Sequence, residues 1–355
     1  MLDVFANRLQ SEKRWQRKGP GGGQRGRCHV AAHHRRGPHA RDTDDKGAPL
    51  SFRYANKSGW IVGFRRVLHQ ASQLSEAAVV LAVMMTFACL PIDWASALGG
   101  YIGRLIGPRL GVSRRALGNL MRAMPENSDG ENRRILCGMW DNLGRSVAEY
   151  PHLGRICGEE CHRVEIVNVA AVQELLSAGR PVIVFGGHFA NWEIGPTTIH
   201  RLMGPSLLSV YRAANNRWVD GLLRRRLRAR CAVAKGAAGG RDLLRHLRRG
   251  GHVAMLVDQK QNDGIAVPFF GRDAMTAPAI ARIGLRFGCP LLPIAVERLS
   301  GARFRVTIMP ALDLAATGNG AVDVLAGMTR VNALIEDWIR ARPEQWLWLH
   351  RRWPQ

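Results

Sequence analysis

Short apolar segments of strand length alternate with helical segments between residues 163 and 310, and this alternation restricts the fold more than any other feature of the sequence. The candidate strands are VEIVNV, PVIVFGG, SLLSVYR, HVAMLVDQ, CPLLPIAVERL and RFRVTIMP. Segments between them have helical periodicity; one such helix is predicted over AMTAPAIARIGLRFG, residues 274–288. Strands that alternate with helices of this length form a sheet with helices on both faces. We therefore predict an α/β fold with a mixed sheet covered by helices.

Two further segments with helical periodicity, Ser113–Ala123 and Cys137–Tyr150, precede the alternating region. We assign them, with the sheet, to one domain over residues 111–355. Before them lies the uncharged run Ala77–Ile92, slightly shorter than the roughly 20 apolar residues that a membrane-spanning helix needs. It predicts a membrane-associated helical anchor over residues 59–110, which spans once or is partly inserted; a buried helix of a soluble core is the alternative.

The net charge of +23, from 51 Lys and Arg against 28 Asp and Glu, implies an anionic partner such as nucleic acid, a phosphorylated substrate or an anionic membrane surface. Residues 1–58 are basic, rich in glycine and poor in aliphatic side chains. Such a segment buries too little apolar surface to fold alone, so we predict a disordered basic tail. An arm that binds RNA or a membrane is the alternative.

A histidine and a glutamate follow the most apolar candidate strand, in the stretch VFGGHFANWEIGP. Residues at the carboxyl end of such a strand line the crevice where α/β proteins bind their ligands, and Gly186 and Gly187 allow a sharp turn there. A histidine next to a carboxylate is a common general base. His188 and Glu193 are therefore a candidate catalytic pair, although their spacing is awkward for a regular helix, and a purely structural role is the alternative.

The histidines and cysteines do not predict a metal site. His188 and Glu193 lack a third histidine at the spacing of the zinc-protease motif. The pattern Cys157-x3-Cys161-His162 has no second pair at zinc-finger spacing. The odd number of cysteines, seven, argues against a disulfide framework and for a reducing compartment. We expect neither a metal nor a cofactor.

Several motifs in the same order resemble those of one protein family. The stretch GGHFANWE resembles the His-x4-Asp/Glu signature of glycerolipid acyltransferases and is most similar to that of bacterial lipid A late acyltransferases, the lauroyl and myristoyl transferases. The segments VYRAANNRWVD, VDQKQNDG and VPFFG resemble the next blocks of that family, and the C-terminal PEQWLWLHRRW is close to diagnostic. The resemblance covers about residues 65–355 and implies a glycerolipid-acyltransferase-like fold.

The resemblance implies a reaction and its site. A fatty acyl group passes from an acyl carrier protein thioester, or from acyl-CoA, to a hydroxyl of a phosphorylated lipid A precursor of the Kdo-lipid IVA type. This occurs at the cytoplasmic face of an inner membrane and without nucleic acid. His188 is the general base and Glu193 orients it; backbone N–H groups near Gly186 and Gly187, or Arg212, are candidate oxyanion donors. The residues expected to contact substrate are Gly187, Asn191, Arg212, Asp258 and Arg272.

Alternatives remain at two levels. For the whole chain, three other functions are open. The first is acyl transfer to another membrane lipid, such as a glycerolipid or a phosphatidylinositol mannoside. The others are a non-enzymatic protein that binds nucleic acid or membrane, and a catalytically inactive scaffold. Within the site, Asp258 either shapes the crevice at the end of its strand or caps the following turn. The aromatic and basic residues of Pro343–Trp353 either line a membrane interface or pack against the sheet.

Overall fold

The computed structural model describes residues 51–227 and 231–353, so residues 1–50 of the predicted tail lie outside the described part. The chain divides into two compact units, residues 1–77 and 78–355. The described part of the first unit is helical: α1 (Ser51–Ala88) begins there, within the segment 1–58 that we predicted as a tail. α1 continues to Ala88 in the second unit.

α1 contains a longer apolar stretch than the sequence analysis predicted. Its segment Val67–Ala88 has 22 residues and a mean hydropathy of 1.5, which is long and apolar enough to cross a membrane. A helix of that length measures about 33 Å, close to the thickness of a bilayer's hydrocarbon core. The run Ala77–Ile92 appeared too short because it was counted only between charged residues, whereas the helix continues through Glu76.

The next helices of the described chain are α2 (Ile92–Ile106), α3 (Ser113–Ala123) and α4 (Asp129–Glu149). α3 has the predicted bounds. α4 begins eight residues earlier than the predicted start at Cys137, because Ser128 and Glu131 form a capping box in which each side chain accepts a hydrogen bond from the other residue's backbone N–H.

Glycines allow α2 and α4 to pack closely. A Cβ on Gly103 would lie 2.1 Å from the carbonyl oxygen of Trp140, and one on Gly144 would lie 2.1 Å from that of Gly99. The opposite face of α2 is exposed, although it is also apolar. Its residues are Trp94, Leu98, Tyr101, Ile102, Leu105 and Ile106.

Seven strands form the main sheet in the order β1-β9-β8-β2-β5-β3-β4. Their bounds are β1 Val164–Val167, β2 Ile183–Gly186, β3 Leu207–Tyr211, β4 Ala232–Ala234, β5 His252–Leu256, β8 Leu291–Ser300 and β9 Arg303–Ile308. All neighbouring pairs are parallel except β8 and β9, which are antiparallel. The predicted mixed α/β sheet is confirmed. β2 lies in the middle of the sheet and every one of its residues is buried, as its continuous apolar sequence requires.

In the described part of the chain, seven helices accompany the sheet: α5 Leu153–Ile156, α6 Val169–Ser177, α7 Ile194–Met203, α8 Arg217–Leu227, α9 Ala237–Arg248, α10 Ala279–Phe287 and α11 Gly320–Ala341. Single 3-10 turns lie at Gly107–Arg109, Tyr150–His152, Glu159–Cys161, Gly204–Ser206 and Pro343–Gln345. The core includes side chains of β2, β3, α6 and α7, among them Val184, Leu207, Val172 and Ile199.

A hairpin replaces the first part of one predicted helix. β6 (Lys260–Phe269) and β7 (Arg272–Thr276) pair antiparallel around a turn at Phe270 and Gly271, which have φ angles of 53° and 67°. The helix predicted over residues 274–288 therefore begins only at Ala279. The cause is Pro278, which disfavours helical geometry in the residue before it and is accommodated at the helix N-terminus.

Candidate active site

The site forms where two neighbouring parallel strands end. β2 and β5 pair in register up to Gly186 and Leu256. His188 and Asp258 each lie two residues beyond their strand, so both side chains are delivered to the same edge of the sheet. This is the edge at which α/β folds place their ligand sites. Both residues thus lie at the edge of the sheet where the sequence analysis expected them.

His188 and Asp258 form a hydrogen-bonded pair. Nδ1 of His188 lies 2.7 Å from Oδ1 of Asp258, and the backbone N–H of His188 donates to Oδ2 at 2.8 Å. Nε1–H of Trp346 also donates to Oδ2, at 2.8 Å. Burial by itself would raise the pKa of Asp258, but the charge of His188 and the three hydrogen bonds bring it well below the ordinary range. Asp258 is thus ionised at neutral pH.

An ionised Asp258 fixes which nitrogen of His188 carries the hydrogen. A carboxylate only accepts hydrogen bonds, so Nδ1 is the protonated nitrogen and Nε2 has the free electron pair. The side chain of His188 is 12% exposed, enough for a small group to reach the ring. This is the arrangement of a general base oriented by a buried acid.

The carboxylate that contacts Nδ1 of His188 is that of Asp258, whereas the sequence analysis assigned the orienting role to Glu193. Nδ1 of His188 contacts Asp258, and Nε2 lies 3.0 Å from Nε2 of Gln259. Glu193 is the N-cap residue of α7 and is half-buried. The loop between them turns at Ala190, whose φ is 48°, before α7 begins. A role of Glu193 in catalysis stays a prediction.

A buried ion pair anchors the loop between His188 and Glu193. Glu149, at the end of α4, pairs with Arg298 of β8, and both side chains are almost fully buried. Asn191 donates from Nδ2 to Oε2 of Glu149 at 3.0 Å, and Asn142 donates to the carbonyl oxygen of Ala190 at 3.0 Å. Asn191 is only 2% exposed. Asn191 therefore fastens the loop, and its predicted contact with substrate stays a prediction.

Gly187 is required by the close approach of two side chains. A Cβ at this position would lie 2.7 Å from the ring of Phe189 and 3.3 Å from Oδ2 of Asp258. Any other residue would displace the ring or the carboxylate. Its predicted contact with substrate stays a prediction, and its structural task is to leave room for the His188–Asp258 pair.

The C-terminal segment forms a wall of the site. Phe189 and Trp346 form an isolated antiparallel β-bridge, and the backbone N–H of Leu347 donates to the carbonyl oxygen of His188 at 3.1 Å. Trp346 and Trp348 are 1% and 0% exposed. Of the two alternatives for this segment, packing inside the protein is therefore the one observed, and these tryptophans do not line a membrane interface.

Gln259 connects His188 to a second histidine, His350, which is half-buried. Its Nε2 lies 3.0 Å from Nε2 of His188 and 3.1 Å from Nε2 of His350. Burial, together with the nearby His188, lowers the pKa of His350 to about 3. The sequence analysis gave no catalytic task to His350. His350 lies in the motif PEQWLWLHRRW, which the sequence analysis interpreted only by its aromatic and basic residues.

The two arginines expected at the substrate lie on the surface. Arg212 is exposed and follows β3, which neighbours β5. Its positive charge helps to lower the pKa of His350, although burial and the charge of His188 are larger causes. Arg272 is exposed at the start of β7, just after the hairpin turn. Both stay predicted substrate contacts. Among the described residues, no three His, Cys, Asp or Glu side chains are grouped so that they would hold a metal ion.

Comparison with known proteins yields one family. Residues 66–355 match the family model described as bacterial lipid A biosynthesis acyltransferase. The chain is 25% identical over 287 residues to the lipid A biosynthesis palmitoleoyltransferase of Escherichia coli (strain K12), covering 77% of this chain and 89% of that protein. It is 27% identical over 286 residues to the myristoyltransferase of the same pathway and strain, covering 76% and 84%. For the lauroyltransferase the identity is 24% over 241 residues, covering 66% and 76%.

Proposed function

This chain belongs to the bacterial lipid A biosynthesis acyltransferase family, and from that premise we propose that it transfers a fatty acyl group from an acyl carrier protein thioester to a hydroxyl of a phosphorylated lipid A precursor of the Kdo-lipid IVA type. The family that the motifs predicted is confirmed, and with it an acyltransferase of lipid A biosynthesis. The donor, the acceptor and the roles of single residues are parts of the proposal.

The observation that carries the proposed mechanism is the pair of His188 and buried Asp258 at the carboxyl ends of β2 and β5. An alcohol is a weak nucleophile at neutral pH and needs a base that takes its proton as it attacks. Nε2 of His188 takes the hydroxyl proton while the hydroxyl oxygen bonds to the thioester carbonyl carbon. The tetrahedral intermediate then loses the thiolate, which receives the proton from Nε2. Asp258 stabilises the intervening imidazolium.

Membrane attachment is supported by two features of the N-terminal helices. The segment Val67–Ala88 of α1 has the length and hydropathy of a single span. The exposed face of α2 is apolar, with Trp94 and Tyr101 among its most exposed residues, and such aromatic side chains favour the membrane–water boundary. We propose that α1 anchors the chain in the inner membrane, that α2 lies at the interface, and that the site faces the cytoplasm.

The net charge of +23 suits the proposed substrates. A phosphorylated lipid and an acidic carrier protein are both anions, and a basic surface raises their local concentration. Arg212, exposed beside the catalytic edge, is the residue that we propose to contact a phosphate. Exposed Arg272 on β7 is a second proposed contact.

The direct test is acyl transfer by membranes that contain the protein. Wild type should acylate the tetra-acylated lipid A precursor from acyl carrier protein thioester, and His188→Ala should lose at least about a hundredfold of that rate. A histidine substitution on the surface, exposed His69→Ala on α1, is the matched control and should keep the rate.

Parallel reactions with acyl-CoA, and with glycerolipid or phosphatidylinositol mannoside as acceptor, identify the substrates. Faster transfer to one of these acceptors than to the lipid A precursor would contradict the proposed acceptor. A wild-type rate in His188→Ala would contradict the proposed base.

A further inference from the structure

Gln259 contacts the nitrogen of His188 that acts as the base in the proposed mechanism. Its amide nitrogen lies 3.0 Å from Nε2 of His188, the nitrogen with the free electron pair. The same amide nitrogen lies 3.1 Å from Nε2 of His350. A carboxamide nitrogen carries two hydrogens, and here each of them points to one imidazole.

The direction of both hydrogen bonds is determined by the neighbours. Asp258 holds the hydrogen of His188 on Nδ1, so Nε2 is an acceptor and the group that faces it must donate. His350 is uncharged, because burial lowers its pKa to about 3. Its Nε2 lies 3.1 Å from the same amide nitrogen, so the tautomer that fits this contact has its hydrogen on Nδ1 and accepts at Nε2. Gln259 therefore presents its NH2 group, and not its carbonyl oxygen, to the catalytic histidine.

The reaction reverses one of these two hydrogen bonds. When His188 takes the hydroxyl proton, its Nε2 becomes a donor and no longer accepts from Gln259. At the same moment the thioester carbonyl oxygen gains negative charge and needs a donor. Two backbone N–H groups nearby are already used: that of His188 donates to Asp258 at 2.8 Å, and that of Phe189 donates to the carbonyl oxygen of Gly187 at 2.9 Å.

We propose that Gln259 is a catalytic residue whose amide N–H moves from His188 to the carbonyl oxygen of the acyl thioester as the tetrahedral intermediate forms, and that His350 is a positioning residue which holds the amide by its second hydrogen. The inference rests on the proposed function. In the full step, the hydroxyl proton passes to Nε2 of His188, the C–O bond forms, and the C–S bond breaks. The leaving thiolate then takes the proton back from Nε2, and Gln259 returns to its resting contact.

The test combines steady-state kinetics with imidazole nitrogen NMR on the full-length protein in detergent. Gln259→Leu should reduce kcat by about a hundredfold with little change in KM, the loss typical of one oxyanion donor. The resonance of Nε2 of His188 should also shift, because its hydrogen bond is gone. Gln261→Leu, two residues further along, is the matched control and should change neither quantity.

Two variants of His350 separate a positioning task from simple packing. His350→Phe keeps the ring but removes the acceptor, so kcat should fall, although by less than in Gln259→Leu. His350→Gln offers an acceptor oxygen at a similar distance and should restore most of kcat. Equal losses in both variants would overturn the positioning role.

The failure of this proposal differs from the failure of the proposed function. A wild-type protein that acylates none of the acceptors would overturn the proposed function and this inference with it. A wild type that transfers acyl groups, beside a Gln259→Leu variant with unchanged kcat, would overturn only the role of Gln259. A change confined to KM would have the same meaning.

Discussion

At the scale of single residues, the chemistry depends on which nitrogen of His188 holds the hydrogen. Asp258 decides this because it is buried, ionised and held by three N–H donors, two from His188 and one from Trp346. The distance of 2.7 Å leaves no room for a second group on Nδ1. Any change that lets position 258 donate a hydrogen bond turns the imidazole into the wrong tautomer.

Asp258→Asn should therefore lose about a thousandfold in kcat, since its amide can donate to Nδ1 and put the hydrogen on Nε2. Glu193→Gln, the matched carboxylate-to-amide change, should lose less, because Nδ1 of His188 is held by Asp258. Kinetics of the two variants in the same membrane preparation measure the difference. A larger loss in Glu193→Gln would return the orienting role to Glu193.

The sequence showed both His188 and Asp258 but not that they touch. Each follows an apolar strand, and that local pattern is enough to place a residue at the catalytic edge. Their contact depends on β2 and β5 being neighbours, which is a property of the sheet order and has no local signal. Glu193 was chosen as the partner because it is near in sequence, and His350 was missed because its neighbour Gln259 is distant in sequence.

At the scale of elements, α2 and α4 are joined by glycines where other helices use larger side chains. Their backbones approach so closely that a Cβ on Gly144 would lie 2.1 Å from a carbonyl oxygen of α2. Gly99 and Gly103 of α2 are visible in the sequence, whereas the helix that they contact is not. The start of α4 was also visible in the sequence, as Ser128 and Glu131 at capping-box spacing, but it was overlooked in favour of the apolar pattern further on.

Two alanine substitutions should have opposite effects on stability. Gly144→Ala forces the two helices apart and should lower the free energy of unfolding by about 1–3 kcal/mol. Gly118→Ala on α3, where a Cβ meets nothing within 4 Å, should raise it by up to about 1 kcal/mol, because alanine favours helix more than glycine does. Thermal unfolding in detergent compares them. Equal shifts of the same sign would contradict the close packing of α2 and α4.

At the scale of the whole molecule, the described chain combines a basic surface with one helix fit to cross a membrane. The sequence analysis predicted a membrane-associated helix but underestimated the length of its apolar stretch, because it measured an uncharged run and not a helix. The β6–β7 hairpin was missed for a related reason: its pairing, Val267 with Ala274 for example, joins segments that each have an ambiguous local pattern.

Charges within the span should release the protein from the membrane. Val79 and Val83 are exposed on α1, so Val79→Asp with Val83→Asp leaves the described core intact, yet costs about 5 kcal/mol in a bilayer. The control is Val322→Asp with Leu325→Asp, two exposed apolar positions on α11. Carbonate extraction should release the first variant and leave the second in the membrane pellet. Retention of both would contradict a spanning α1.

The wall that Pro343–Trp353 builds beside the histidine has a consequence for the timing of synthesis. These residues are translated after every strand of the sheet, yet Trp346 holds Asp258 and His350 holds Gln259. A nascent chain that has completed its sheet thus still lacks the partners that set its base. The site is therefore complete only after Pro343–Trp353 has been translated and has packed beside His188.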